Sequence, residues 1–158
     1  MILGLRSSAI ADGQLALVLN NDLAAVEDGR SAMLHFLGPL DPMVQNRLEV
    51  IFEEMVANII RHGFEPHSDQ SIHVRVACTP AGIELTFEDD GTPFNPLEAR
   101  MPEPFTDIEH ARIGGMGLPL IIKLSSELRY QRLSRDDTGV FRPTNRNVVT
   151  LAVGNSWH

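Results

Sequence analysis

Two runs of strict alternation, SIHVRVAC (71–78) and IELTFED (83–89), are separated only by a turn at Pro80–Gly82. Successive side chains of a strand point to opposite faces, so each run offers one apolar face and one polar face. The pair reads as a hairpin in a sheet that must be covered on one side. The cover lies upstream. Residues 42–62 form a helix with Val50, Ile51, Met55, Val56, Ile59 and Ile60 on its apolar side, Pro42 in its first turn and Gly63 as its C-terminal cap. A helix over about 22–37 carries Leu23, Val26, Met33, Leu34 and Leu37 at roughly helical spacing, with Asn20, Asn21 and Asp22 as candidate caps; Gly29 weakens its middle.

The remaining elements follow from shorter signals. QLALVL (14–19), ELRYQRL (127–133) and NVVTLAV (147–153) read as strands, and GGMGLPLI leads into a helix over about 118–126. GPLDP (38–42) breaks the chain, residues 64–70 are loop and residues 134–146 are turn. Residues 91–114 hold four prolines and no periodicity, which reads as a long loop, and loops of this length are usually functional. Helices followed by grouped strands give an α+β fold, a two-layer sandwich with a mixed, mostly antiparallel sheet and helices on one face.

At 158 residues the chain is read as one domain, 1–158, with its core over about 10–153. A net charge of -8 argues against a general nucleic-acid binder, and any phosphate ligand would need local positive potential. Cys78 is the only cysteine, which leaves no intrachain disulfide or thiolate metal cluster. MILGLRSSAI lacks the apolar run of a signal peptide, and no run reaches transmembrane length. The expectation is a reduced, cytoplasmic, soluble protein that engages neither membrane nor nucleic acid.

Three segments suggest chemistry. Glu54, Asn58 and His62 recur every four residues, one row beside an apolar stripe. An Asn there suits Mg²⁺ bound together with phosphates, a Glu one turn earlier can orient or deprotonate a hydroxyl, and a polar rim on an amphipathic helix remains the plain alternative. Asp89 continues the parity of Ile83, Leu85 and Phe87, so a carboxylate enters the apolar layer unless it merely ends the strand. Gly114, Gly115 and Gly117 open a helix N-terminus, where exposed N–H groups favour anions, although neither the P-loop nor the dinucleotide pattern is present.

In this order and spacing, Glu54-x-x-x-Asn58, Asp89-x-Gly91 and Gly115-x-Gly117-Leu118 resemble the nucleotide-binding boxes of the gyrase/histidine-kinase ATPase superfamily, with its Bergerat-type sandwich. His62-Gly63, DDGTPFNPLEA (89–99), GGMGLPLI, ELRYQR and NVVTL narrow the resemblance to its stand-alone bacterial branch, the anti-sigma-factor serine/threonine kinases. It covers roughly residues 10–153. Pro93 stands where the wider superfamily often has a second glycine, a change this branch tolerates. No dimerisation helix pair with a phosphoacceptor histidine is present, so His62 is not read as phosphorylated.

The resemblance implies ATP and Mg²⁺ as cofactors. Asp89 would accept the adenine amino group, with Thr150 supporting the same edge of the ring. Asn58 would hold Mg²⁺ and Glu54 would be the general base. Gly91 would belong to the adenine box; Gly115, Gly117 and Leu118 would contact phosphates, and Arg61, His62 and Arg112 would supply positive charge. Residues 92–114 would form the ATP lid, and Glu53, one position off the box, would face solvent. The implied activity is a protein kinase that phosphorylates a small anti-anti-sigma (STAS-type) protein and sequesters a sigma factor, as a homodimer. The alternative is an ATP-binding regulatory module that switches partner binding without kinase activity.

Overall fold

The computed structural model describes residues 4–63, 70–91, 117–135 and 141–153. Strands β1 (Leu5–Ala11) and β2 (Gln14–Asn20) precede helices α1 (Ala24–Leu37) and α2 (Pro42–Asn58). Then follow a π-helical turn (Ile59–Gly63), β3 (Ser71–Thr79), β4 (Gly82–Asp89), α3 (Gly117–Leu124), β5 (Glu127–Arg135) and β6 (Phe141–Leu151). The six strands form one sheet in the order β1-β2-β3-β4-β6-β5. The expected α+β sandwich with a mostly antiparallel sheet holds, and among the described residues every pairing between strands is antiparallel.

One face of the sheet is the core. Leu15, Leu17 and Leu19 of β2, Val74 and Val76 of β3, Ile83, Leu85 and Phe87 of β4, and Val149 and Leu151 of β6 are buried there. They pack with Met33 of α1, Leu48, Ile51, Phe52 and Met55 of α2, and Ile121 of α3 in a single cluster. The Phe52 and Phe87 rings lie 6.0 Å apart at 51°, a tilted aromatic contact that seats α2 on β4. Gly29 has a packing reason: a Cβ there would fall 2.6 Å from the Phe52 ring, so only glycine lets α1 approach this closely. The opposite face is polar, where Glu88 Oε1 accepts from Arg75 Nη2 (3.0 Å) and Arg146 Nε (3.2 Å).

Four details differ from the sequence expectation. β1 appears where no strand is anticipated; LRSSAIA barely alternates, and its signal is Asp12-Gly13, both at positive φ (54° and 73°), the two-residue turn that hairpins favour. β6 begins at Phe141 rather than 147, because Pro143 and four polar residues mask the strand. Asp41 accepts from Met43 N and Pro42 opens α2 as expected, but its α geometry ends at Asn58, and Ile59–Gly63 winds as a π-helix. Glu53 does not simply face solvent, since its Oε1 accepts from Arg30 Nη1 at 3.1 Å and ties α2 to α1.

Candidate functional site

The register of β4, β6 and β5 sets out the site row by row on the covered face. Ile83 lies opposite Leu151, and Leu85 is level with Val149 and Leu128. The next row is Phe87, Asn147 and Tyr130, and the last is Asp89, Asn145 and Arg132. Directly opposed residues of antiparallel strands share a face, so the apolar layer turns polar within two rows.

Asp89 is 4% exposed, which would be unfavourable for a carboxylate without donors. Its Oδ1 accepts from Gly91 N and from Asn145 Nδ2, both at 3.0 Å. Among the described residues its Oδ2 has no hydrogen-bond partner, so that oxygen is left for a ligand's donor. Burial pushes the Asp89 carboxyl above its ordinary value; the Asn145 and Gly91 hydrogen bonds and the Arg132 charge oppose the shift, while Asp90 adds to it. Asn145, 2% exposed, is the hub. Its Oδ1 accepts from Tyr130 OH (2.6 Å) and Arg132 Nη1 (2.9 Å), and its Nδ2 also reaches Gly91 O at 3.4 Å. Arg132 Nη1 donates to Gly91 O as well, at 3.0 Å.

On α2, Asn58 is 8% exposed and its Nδ2 donates to Glu54 O at 2.6 Å. A carbonyl can only accept, so the amide orientation is fixed and Oδ1 is the atom left for a ligand. Glu54 is half-buried and Arg61 exposed. His62 lies in the π-helical turn, so the α-helical four-residue row joins Glu54 to Asn58 and does not extend regularly to His62. Gly117 and Leu118 form the start of α3; Gly115, Arg112 and the expected lid lie outside the described residues.

Thr150 does not join Asp89. It pairs with Glu84 and Glu127 on the other face of the sheet, five positions along β6 from Asn145. The β6 residues that share Asp89's face are Asn145 and Asn147, and Asn147 Oδ1 is buried with no hydrogen-bond partner among the described residues. Sequence reasoning missed Asn145, Asn147, Tyr130 and Arg132. Their signal was parity: Leu151 and Val149 continue backwards by twos to Asn147 and Asn145.

The histidine kinase-like ATPase domain family matches residues 19–151 of this chain. The chain belongs to that family. This histidine kinase-like ATPase domain is 30% identical to the serine/threonine-protein kinase BtrW of Bordetella bronchiseptica over 108 residues, 68% of this chain and 69% of that protein. It is 24% identical to an anti-sigma F factor of Priestia megaterium over 71% of this chain and 78% of the relative. A serine-protein kinase RsbW of Listeria monocytogenes is 33% identical over 52% of this chain and 55% of its own length. These relatives identify the anti-sigma kinase branch of the histidine kinase-like ATPase family.

Proposed function

We propose that this domain binds Mg-ATP at the polar end of its core and acts as a serine/threonine protein kinase on a small anti-anti-sigma protein, while sequestering a sigma factor. The observation that carries the nucleotide reading is Asp89, with one oxygen saturated by protein donors and the other open. That open oxygen accepts the adenine amino group; a 6-oxopurine would set a carbonyl against it and leave a buried acceptor unpaired. Family membership and the names of the relatives support the phosphoryl-transfer part.

The donor set suits magnesium. Asn58 offers one neutral oxygen, and no three His, Cys, Asp or Glu among the described residues could hold a metal by themselves, which matches an ion that takes most of its ligands from phosphates and water. Magnesium held by Asn58 would offset the charge of the phosphates. Glu54, one turn before Asn58, accepts the proton of the attacking serine or threonine hydroxyl. That oxygen bonds to the γ-phosphorus as the bond to the ADP oxygen breaks. Arg61, His62, Gly91, Gly115, Gly117 and Leu118 are assigned to the nucleotide on the motif positions alone. A homodimer of single domains in the cytoplasm completes the reading; among the described residues no helix is long and apolar enough to cross a membrane.

The test is phosphate transfer from labelled Mg-ATP to candidate anti-anti-sigma proteins by the wild type and Glu54→Gln. The expected result is a labelled serine or threonine with the wild type, and transfer reduced at least about a hundredfold in the variant with ATP binding retained. ATP binding without transfer to any candidate would favour the non-catalytic switch.

A further inference from the structure

The hydrogen bonds around Asn145 go beyond what a strand residue needs. Its amide oxygen takes two donors from β5, and its amide nitrogen serves the Asp89 carboxylate and the Gly91 carbonyl. With a hydroxyl and a guanidinium donating to Oδ1, the amide cannot rotate to present its oxygen to Asp89. The same two donors polarise the amide and strengthen what Nδ2 gives to the carboxylate. Arg132, also bonded to Gly91 O, holds the backbone just after Asp89 from the other side.

We propose that Asn145 is the positioning residue that makes Asp89 an acceptor for an exocyclic amino group, and so sets this site's preference for a 6-aminopurine over a 6-oxopurine nucleotide. The inference rests on the ATP reading above. Asn145 acts through Asp89 and touches no reacting atom. Its Nδ2 and Gly91 N both converge on Oδ1, which leaves Oδ2 without a donor among the described residues. Without Asn145, one backbone N–H would remain to hold the carboxylate, which would then rotate and take up a proton more readily. A protonated Asp89 can donate, and would no longer reject an oxo group.

The contribution is isolated by pairing a protein change with a ligand change. Mg-ATP and the Mg complex of purine riboside 5′-triphosphate, which lacks the 6-amino group, are titrated into the wild type, Asn145→Ala and Tyr130→Phe. The wild type is expected to prefer ATP. In Asn145→Ala, ATP affinity falls roughly tenfold while that of the deamino analogue changes less than about twofold, so the preference collapses. Tyr130→Phe, which keeps Asn145 but removes one donor from it, falls between. A folded Asn145→Ala that keeps the wild-type preference, or that loses both ligands in parallel, overturns the inference and leaves the ATP reading standing. If Asn145→Ala does not fold, an unchanged preference in Tyr130→Phe overturns it. A wild type that binds neither nucleotide overturns the ATP reading and the inference with it.

Discussion

The two ends of the face shared by β4, β6 and β5 are built from the same strands in the same register, yet they do opposite things. At one end Ile83, Leu85, Val149 and Leu151 are held by packing alone, with no polar side chain to satisfy. At the other, Asp89 and Asn145 are just as buried, but each is held by named hydrogen bonds. The apolar end gains stability from every methylene it hides. The polar end keeps acceptors that the described residues do not fill, Asp89 Oδ2 and Asn147 Oδ1, and so forgoes stability there. The difference teaches that burial by itself does not identify a core residue; what satisfies the buried atoms does.

The comparison can be broken at either end. Leu85→Ala should have the largest effect, a loss of about 3 kcal/mol of unfolding free energy measured by urea denaturation, because a fully enclosed side chain leaves a cavity. At the polar end the sensitive variable is pH. The Asp89 carboxyl is raised by burial, with Asp90 adding to the shift and Arg132 and Asn145 opposing it. ATP needs the ionised form, so affinity should fall as pH drops through that raised value, approaching about tenfold per pH unit. Apo stability carries the opposite sign: this group's contribution is present at low pH and is lost as pH rises through its folded value. Titration calorimetry over a series of pH values checks the first statement, and Asp89→Asn should flatten the profile.

Smaller effects sharpen the contrast. Asn147→Leu removes an orphaned buried oxygen and makes the polar end apolar, so the apo protein should gain about 1 kcal/mol while ATP binding weakens. Thr150→Val lies on the far face, across from Glu84, and should leave ATP affinity unchanged in the same titration. A large loss of ATP affinity in that variant would return Thr150 to the site.

Much of this was legible before any coordinates. Strands β2, β3 and β4 alternate cleanly because one face of the sheet meets helices and the other meets water. Asp89 stood out because its parity put a carboxylate where Ile83, Leu85 and Phe87 put carbon. Glu54 and Asn58 stood out on an otherwise apolar helix. What stayed hidden depended on register. Asn145 falls in the stretch read as turn beside Pro143 and Asn147 only opens the strand NVVTLAV, and it is their pairing with Asp89 and Phe87 that turns them inward. Thr150 is the converse case. An even-numbered position in a strand whose odd positions face the core cannot reach Asp89, and that parity was already present in NVVTL. The π-helical turn after Asn58 leaves no mark in IIRHG that composition or spacing could have revealed.

The central claim is that Asp89 reads an adenine, and side-by-side calorimetric titration of Mg-ATP and Mg-GTP into the wild type and Asp89→Asn tests it most directly. The account predicts saturable ATP binding to the wild type, none for GTP at the same concentrations, and ATP affinity at least about tenfold weaker in a variant whose unfolding midpoint is little changed. Equal binding of the two nucleotides to the wild type, or ATP binding unaffected by Asp89→Asn, would contradict it.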